Sequence, residues 1–575
     1  MKTLSRIAGT MTCALALATA AQAATPLKAD PVGPNGPFKH VVVIYQENHS
    51  FDNLYGGWGA VGGKEVNGRP NITPDKSTQL KESGKPYNCL YQNDVNLTSP
   101  PLPSSCKDNA VGLSYTSNFG NAPFRIDSVI PSSATTCPPP GVFATHGLAN
   151  GTGITGGCTE DIVHRYYTEI YQIDKGKQDH YVTGSDASGL SMGYYDTTLL
   201  PIFSFLHANG APNYVIADNF FQGAFGGSFL NHQWLIAAAS PVFPSAVNDG
   251  SSQDLHSVVD NNGMAATTPL YANKLGSAAV DAQMTASCSP PAGRAKTPAG
   301  VTCGDFIVNT TQPFFQPYSP GTPDYKRAPL QTNLTIGDRL NEAGVTWAWY
   351  SGGWSNADGE KGKPGWTNGA TKADGCTDPN VLPTAVWPNC PDKTFQFHHQ
   401  PFAYFANYRP GTVARATHLR DEAEFIQRAQ QGKLPQVSFV KPLGIDNEHP
   451  GYASETTGSS HLVDLINDVM NGPDGANTLI IVTYDEFGGQ WDHVSPPGTP
   501  GGPAGPHDKW GPGTRIPALL VSKAFKFSSV DHIEHDTTSV MGTLEHLYGL
   551  APVGTRDAQG HDLSGAINLG LSNGL

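Results

Sequence analysis

The sequence predicts an α/β fold in which helices cover both faces of a doubly wound, mostly parallel β-sheet. Short apolar runs rich in β-branched residues recur along the chain, and continuous runs of this kind suit strands that are buried on both faces. Helical patterns lie between these runs, and such alternation favours parallel strands. The clearest strands are predicted at residues 41–45, 214–217, 345–350, 436–440, 478–484 and 518–521, and the clearest helices at 198–209, 421–431, 461–470 and 538–548.

Three stretches interrupt this alternation, near residues 59–160, 240–335 and 353–395. They are rich in Gly, Pro, Asn and Ser, a composition that is typical of loops. The chain contains 64 Gly and 47 Pro, which indicates that much of it lies outside helices and strands. We therefore predict a single domain over residues 24–575 with three long insertions that rim a functional site or cover the sheet edges.

Residues 1–23 are predicted to be a signal peptide, with a buried N-terminal helix as the alternative. Lys2 and Arg6 precede a short apolar run, and Ala-Gln-Ala at 21–23 fits a small-residue cleavage site. We expect a secreted or periplasmic protein without stable membrane anchoring, because no later apolar stretch reaches membrane length. Loss of Lys2 and Arg6 changes the formal net charge from -14 to -16. So acidic a surface disfavours nucleic acid as a partner.

The cysteine content predicts disulfide bonds. Nine cysteines are present, and Cys13 belongs to the predicted signal peptide. An even number in an exported protein favours disulfides, and pairing of nearest neighbours is the most economical scheme. A structural zinc site is the alternative, which the absence of a Cys-x-x-Cys motif disfavours. The nearest-neighbour couples are Cys89/Cys106, Cys137/Cys158, Cys288/Cys303 and Cys376/Cys390.

Polar residues follow two of the predicted strands. Glu47 and Asn48 come just after the first strand, and Asp485 and Glu486 follow the strand at 478–484. Ligands of open α/β sheets bind beyond the carboxyl ends of the strands, so these side chains are expected to converge if the strands are neighbours. Packed carboxylates need a cation to offset their repulsion, and oxygen donors suit a hard divalent ion. Each pair alone is also compatible with a helix cap or a solvated turn.

A glycine-rich loop with one serine follows the strand at 214–217. Its glycines allow close approach of the backbone to an anion, and a helix beginning there would favour negative charge. Ser228 is then a candidate nucleophile, activated by a metal ion, and the alternative is a serine that caps the helix. A second serine, Ser191, matches the nucleophile-elbow pattern Gly-x-Ser-x-Gly, but a polar loop and not a buried strand precedes it.

Histidines in polar or aromatic surroundings form the last group of candidates. Several imidazoles around a phosphate would neutralise its charge, and one could protonate a leaving alkoxide. A single histidine is more often structural. These histidines therefore indicate a functional site only in combination with the candidate carboxylates and the candidate serine. A supporting role is expected for His493. The candidates for direct contact are His164, His398, His399 and His449.

Five ordered motifs give the chain a resemblance to a known family. They are Glu-Asn-His-Ser-Phe-Asp at 47–52, the Gly-Gly-Ser loop at 226–228, His-His-Gln-Pro-Phe at 398–402, Glu-His-Pro at 448–450 and Asp-Glu-Phe-Gly-Gly at 485–489. With these motifs the chain resembles the bacterial phosphoesterase family, which contains phosphocholine-type phospholipases C and secreted acid phosphatases of the Francisella–Burkholderia kind. The resemblance covers nearly the whole chain after the signal peptide, apart from the insertions.

The resemblance implies an alkaline-phosphatase-like sheet with one divalent metal ion of unknown identity. It also assigns roles by motif position. Glu47, Asn48, Asp485 and Glu486 match metal ligands, and Ser228 matches the nucleophile that also binds the metal. The family residues that surround the phosphoryl oxygens correspond in this chain to His164, His398, His399 and His449. The chain departs from the family pattern at Gln178, where methionine is usual, and mildly at Glu486.

The same resemblance favours a secreted acid phosphatase that hydrolyses small phosphate monoesters. The phospholipase branch typically carries threonine at the nucleophile and an additional C-terminal β-domain, whereas this chain has Ser228 and ends soon after the helix predicted at 538–548. The alternatives are a phospholipase C acting on phosphatidylcholine and a secreted binding protein without turnover. A choline headgroup requires an aromatic or acidic cage. Candidates for such a cage are Tyr45, Phe229, Trp234 and Trp491.

Overall fold

The fold is described from a computed structural model of the 575-residue chain. The structure describes residues 37–91, 102–110, 113–130, 159, 161–185, 187–243, 258–260, 301–303, 306–324, 327–369, 375–451 and 453–572. The predicted signal peptide at 1–23 therefore lies outside the described residues. So do Cys137, Cys158 and Cys288, together with the side chain of Cys303.

A sheet of eight strands forms the centre of the protein. In chain order, the strands are β1 (His40–Gln46), β2 (Tyr214–Ala217), β3 (Trp347–Ser351), β4 (Leu419–Asp421), β5 (Val437–Lys441), β6 (Thr478–Tyr484), β7 (Ala518–Val521) and β8 (Ser529–Asp531). Their order across the sheet is β4-β3-β5-β1-β6-β7-β2-β8. Strand β7 runs antiparallel to both of its neighbours, and the other adjacent pairs are parallel. The carboxyl ends of seven strands therefore share one edge of the sheet.

Both faces of the sheet are covered. Residues 41–46 of β1 are all buried, although alternate side chains of a strand point to opposite faces. The helices of the described residues are α1 (Phe51–Leu54), α2 (Pro74–Ser77), α3 (Tyr166–Ile173), α4 (Pro201–Leu206), α5 (Ser228–Ala237), α6 (Ile336–Glu342), α7 (Trp354–Asp358), α8 (Val413–His418), α9 (Glu422–Gln431), α10 (Glu455–Asn471), α11 (Thr538–Tyr548), α12 (Arg556–Gln559) and α13 (Ser564–Ser572). This architecture confirms the predicted α/β class with a mostly parallel sheet.

All six predicted strands belong to this sheet, three of them with the predicted bounds. The two strands that the sequence did not indicate, β4 and β8, lie at the sheet edges and have three residues each. Helix α11 matches its prediction, α10 begins six residues earlier than predicted, and α4 is shorter than the predicted 198–209. Ser454 caps α10 by accepting a hydrogen bond from the backbone of Thr457, which explains the earlier start.

The three predicted insertions contribute no strand to the main sheet within their described residues. They carry short ribbons, such as Cys106–Ala110 paired with Leu113–Ser117. Disulfides join Cys89 to Cys106 and Cys376 to Cys390, as the nearest-neighbour scheme predicted. No helix in the described part of the chain combines the length and apolar character needed to cross a membrane.

Candidate active site

Two neighbouring strands end side by side and provide the first polar residues of the site. Strands β1 and β6 pair in parallel with Gln46 opposite Tyr484. Glu47 and Asp485 therefore leave the sheet at the same edge. The chain then turns at Asn48, whose φ of 58° lies in the left-handed region that asparagine tolerates better than most residues. The backbone N–H of Asn48 donates a hydrogen bond to Oδ1 of Asp485 at 3.2 Å, which joins the two strand ends.

Ser228 is the first residue of α5, and its hydroxyl group faces these strand ends. The alternative of a capping serine is wrong, because Gly227 occupies the N-cap position and no side chain caps the helix. Three oxygen atoms surround Oγ of the serine: Glu47 Oε2 at 3.2 Å, Asn48 Oδ1 at 3.3 Å and Glu486 Oε1 at 3.4 Å. The structure thus brings the candidate nucleophile and the candidate metal ligands into one cluster.

A buried carboxyl group, that of Glu169 in α3, holds the loop that leads to Ser228. Its Oε2 atom accepts hydrogen bonds from the backbone of Gly226 at 2.6 Å and from the side chain of Gln222 at 2.8 Å. Its Oε1 atom accepts two more from the backbone and hydroxyl of Thr514. Burial raises the pKa of Glu169 to about 8. The turn at Gly226 has a φ of 96° and lies against the backbone of α3, where a Cβ atom would clash.

The carboxylates of the cluster fit a divalent cation. Glu47, Asp485 and Glu486 are fully buried. Burial and the charge of Glu47 raise the pKa of Asp485, while burial and the charge of Asp485 raise the pKa of Glu486. The Oδ2 atom of Asp485 is buried without a hydrogen bond. A hard divalent ion would offset this repulsion and satisfy that oxygen, and the donors that could hold it are oxygen atoms of the kind such ions prefer.

Two imidazoles lie above the cluster and share a hydrogen-bond donor. The side-chain nitrogen of Asn48 is 2.8 Å from Nε2 of His449 and 3.5 Å from Nε2 of His164. The Nδ1 atoms of both rings face main-chain carbonyls, Pro450 O for His449 and Ile162 O for His164. Because a carbonyl only accepts, the proton of each neutral ring is on Nδ1. Burial lowers the pKa of His449 to about 3.

The neighbouring histidines 398 and 399 have different positions. His399 is buried, and its Nε2 atom lies 2.8 Å from Oε1 of Glu47. Burial lowers the pKa of His399 to about 4. His398 is half-buried and packs edge-on against the ring of His399 at 4.6 Å. Among the described residues, no hydrogen bond or ion pair connects His398 to the three carboxylates, so it lies one ring further from the cluster than His399.

The sequence model of the phosphoesterase family matches residues 38–551, which include every side chain of this cluster. The chain belongs to the phosphoesterase family. Its similar relatives include phospholipase C B of Mycobacterium tuberculosis, 31% identical over 166 residues, which cover 25% of this chain and 32% of the relative. Non-hemolytic phospholipase C of Burkholderia pseudomallei is 26% identical over 244 residues, covering 37% of this chain and 31% of the relative. The match thus spans about a third of each relative's length.

Solved structures with some likeness to this phosphoesterase include a protein of the alkaline phosphatase superfamily from Vibrio parahaemolyticus. The TM-score is 0.22 at 18% identity, over 43% of this chain and 55% of the other. The lipoteichoic acid synthase LtaP from Listeria monocytogenes gives a TM-score of 0.28 at 10% identity, over 63% of this chain and 70% of the other. At such TM-scores, the fold class rests on the strand order described above.

Three residues of this phosphoesterase site were not predicted. Lys441, the last residue of β5, is fully buried and forms an ion pair with Glu47 Oε1. Lys441 could have been predicted to belong to the site, because it directly follows the predicted strand 436–440, which ends at the same edge of the sheet as β1. His232 lies one turn after Ser228 on α5. The third residue is Asp161, whose Oδ1 atom lies 3.6 Å from Nδ1 of His164 and 3.9 Å from Nε2 of His449. Nothing in the sequence around Asp161 indicated that it belongs to the site.

His493 belongs to a separate buried network below the site. Its Nδ1 atom is 2.6 Å from Oδ2 of Asp52. Arg515 joins Asp52 to Asp492 by ion pairs of 3.1 Å. This network fixes α1 immediately after the β1 loop. Ser191 lies in a 3₁₀ turn after a loop, and its hydroxyl donates to a main-chain carbonyl at 2.8 Å, so it lacks the strand that a nucleophile elbow requires.

Proposed function

We propose that this phosphoesterase is an acid phosphatase that hydrolyses phosphate monoesters through Ser228. The observation that carries the proposal is the environment of Ser228 Oγ, which lies within 3.2 to 3.4 Å of Glu47, Asn48 and Glu486. A hydroxyl group held among such ligands becomes a nucleophile when a metal ion binds beside it. Membership of the phosphoesterase family supports this chemistry.

We further propose that one divalent ion binds in this cluster. When bound, it would acidify the serine hydroxyl and offset the charge of the phosphoryl group. A single ion is proposed because the candidate ligands surround one hydroxyl group. The residues that would hold it are Glu47, Asn48, Ser228, Asp485 and Glu486.

The steps of phosphoryl transfer are carried out by side chains of the protein. Ser228 gives up its hydroxyl proton to solvent, and Oγ attacks phosphorus. The bond to the leaving oxygen breaks as that oxygen takes up a proton, and the phosphoryl group is transferred to the serine. Water then attacks the same phosphorus, one of its protons returns to Oγ, and phosphate and free Ser228 are released. Asn48 orients the hydroxyl through its side-chain oxygen at 3.3 Å while its nitrogen holds His449 at 2.8 Å. His399, His398 and His449 would line the phosphoryl oxygens.

His164 is the proposed proton donor to the leaving oxygen. Its side chain is 18% exposed, whereas those of His399 and His449 are 3% and 6% exposed, so it is the most accessible to solvent of these three rings. Its Nδ1 atom already faces the carbonyl of Ile162. Donation from Nε2 therefore requires a second proton, which makes the ring a cation. The choice of an acid phosphatase over a phospholipase C rests on the family resemblance, because the phospholipase branch typically carries threonine where this chain has Ser228.

The burial of the aromatic side chains near the site supports a monoester substrate. A choline cage needs open aromatic faces. Trp234 and Trp491 are 2% and 3% exposed, and Phe229 is 1% exposed. Arg556 already covers the face of Trp234 at 4.1 Å, and Lys441 lies over the ring of Tyr45 at 5.2 Å. These four rings are thus parts of the core and not of a cage. The phospholipase names of the relatives make phospholipase C the second candidate.

Parallel assays with p-nitrophenyl phosphate and p-nitrophenylphosphorylcholine test the substrate class. We expect kcat/KM for the monoester to exceed that for the choline diester by at least about 100-fold. The opposite ratio would overturn the monoesterase proposal in favour of a phospholipase C. Absence of turnover of both compounds by metal-loaded protein would favour the binding protein without catalysis.

We also propose that the protein is exported to the periplasm or the medium. The disulfides Cys89–Cys106 and Cys376–Cys390 support this, because such bonds persist in oxidising compartments. The predicted signal peptide at 1–23 agrees with the same destination. N-terminal sequencing of the protein from the culture fluid and the periplasmic fraction would test the proposal. A chain found only in the cytosol with residues 1–23 intact would contradict it.

A further inference from the structure

The two carboxylate oxygens of Glu47 face different partners. Oε2 faces the nucleophile Ser228 at 3.2 Å. Oε1 faces away from the serine and contacts two nitrogen atoms: it is 2.8 Å from Nε2 of His399 and forms an ion pair with Nζ of Lys441. The ammonium group also donates a hydrogen bond to the main-chain oxygen of Gln46 at 3.2 Å. Glu47 thus connects the proposed metal cluster to a second, adjacent group of residues.

His232 belongs to this second group and has one ring nitrogen without a partner. Its Nδ1 atom lies 2.7 Å from the main-chain oxygen of Ser228, one helical turn earlier. Because that oxygen only accepts, Nδ1 carries the proton and Nε2 presents a lone pair. His232 is fully buried, and its Nε2 atom makes no hydrogen bond. The ring is stacked on that of His399, with centroids 5.1 Å apart and an interplanar angle of 6°.

These residues have the composition of a transition-metal site. Glu47, His232 and His399 each offer one ligand atom, and the three atoms lie within 4.8 Å of one another. Two imidazoles and one carboxylate are a common ligand set for Zn²⁺. Histidines that bind metals usually donate their other N–H to a main-chain carbonyl or a carboxylate, as His232 does here. A buried imidazole nitrogen with no hydrogen bond is otherwise costly, so the group requires an explanation.

We propose that Lys441 occupies this second cation site, and that its ammonium group takes the place of a second metal ion. A divalent ion bound to Oε1 of Glu47 would meet an ammonium group that contacts the same oxygen atom. The proposal rests on the proposed function, since it defines a second site beside the one assigned to the first ion. It assigns Lys441 a specific role: its fixed charge keeps the enzyme at one ion per chain.

The proposal is tested by counting bound ions after Lys441→Ser. Purified protein is dialysed against excess Zn²⁺ or Co²⁺, freed of unbound ion, and analysed for metal content. We expect one ion per chain in the wild type and two in Lys441→Ser. Lys441→Arg is the matched control, because it keeps a cation at the same place and should bind one ion. Adding His232→Ala to Lys441→Ser should return the count to one.

The outcomes separate this inference from the function on which it rests. One ion in Lys441→Ser, or two ions in the wild type, would overturn the role of Lys441. No ion in the wild type with one in Lys441→Ser would sustain it and would contradict the proposed single-ion mechanism. If the serine variant does not fold, the wild type still provides a test through the ¹⁵N resonances of His232. A proton on Nε2, and not on Nδ1, would remove the free lone pair and overturn the inference.

Discussion

The side-chain oxygen of Asn48 lies 3.3 Å from Oγ of Ser228, in position to accept its hydrogen bond. The nitrogen of the same amide donates to Nε2 of His449 at 2.8 Å, across 401 residues of sequence. One short side chain therefore contacts both the candidate nucleophile and an imidazole of the site. This arrangement explains why the residue after Glu47 is an amide and not a fourth carboxylate, which would have no N–H to donate.

Replacing Ser228 with alanine should lower kcat for p-nitrophenyl phosphate by more than about 1,000-fold, because the attacking oxygen is removed. The fold should persist, since the serine side chain caps no helix. Circular dichroism and steady-state kinetics provide the two measurements. Ser191→Ala is the matched control and should retain activity, because that hydroxyl donates only to a main-chain carbonyl. A Ser228→Ala enzyme with the wild-type rate would rule out the proposed nucleophile.

Asp485→Asn should lose the bound ion and the activity together. The change removes one negative charge from a cluster of three buried carboxylates, and a neutral amide oxygen attracts a divalent ion less strongly than a carboxylate does. We expect an affinity loss of at least about 10-fold, measured by isothermal titration with Mn²⁺ or Zn²⁺. Asp174→Asn, in a separate group with Asp179 and His180, should bind the ion as the wild type does. Loss of the ion only in that control would place the metal elsewhere.

The main elements of the fold and the centre of the site follow from the sequence because both depend on local patterns. Strand β6 is a run of apolar and β-branched residues, so its bounds were predicted. Strands β4 and β8 were missed because each is three residues long and ends in aspartate. Glu47 and Asp485 were found from their place directly after strands. The role of Glu169 was not accessible, since its four hydrogen bonds come from residues 53 to 345 positions away.

Removal of the Glu169 carboxylate should destabilise the protein and disturb the loop before Ser228. In Glu169→Ala, the buried main-chain N–H groups of Gly226 and Thr514 lose their acceptor. We expect the free energy of unfolding to fall by about 2–4 kcal/mol in urea titrations, and kcat to fall in the folded fraction. Glu342→Ala should change the free energy of unfolding by less than about 1 kcal/mol, because the Glu342 side chain is 59% exposed in its ion pair with Arg339. Equal losses in both variants would contradict the anchoring role.

The pair formed by His461 and Glu422 should make stability depend on pH. Although burial opposes its charge, the Glu422 carboxylate at 2.8 Å raises the pKa of His461 to about 9. A histidine whose pKa is raised in the folded state contributes its full stabilisation of the fold at pH values below its pKa in the unfolded chain, about 6.5. This contribution is lost as the pH rises through the pKa of the folded state. His461→Gln should therefore lower the free energy of unfolding by about 1–3 kcal/mol at pH 6, and the loss should vanish above about pH 9.

Urea titrations of wild type and His461→Gln at several pH values would check this dependence. His546→Gln is a suitable comparison, because the 2.7 Å pair of His546 with Asp562 is partly exposed and should contribute less than about 1 kcal/mol. If His461→Gln lowers the free energy of unfolding more at high pH than at low pH, the predicted direction of the pH dependence is wrong.

The position of β1 in the sheet determines when the candidate active site can form during synthesis of the chain. Its neighbours are β5 and β6, which end at residues 441 and 484, so the first strand of this sheet in chain order waits for partners made some 400 residues later. Until then, Glu47 and Asn48 have no counterpart at the sheet edge. A nascent chain that still lacks β5 and β6 therefore cannot assemble the cluster that surrounds Ser228. The candidate active site is among the last parts of this chain that translation completes.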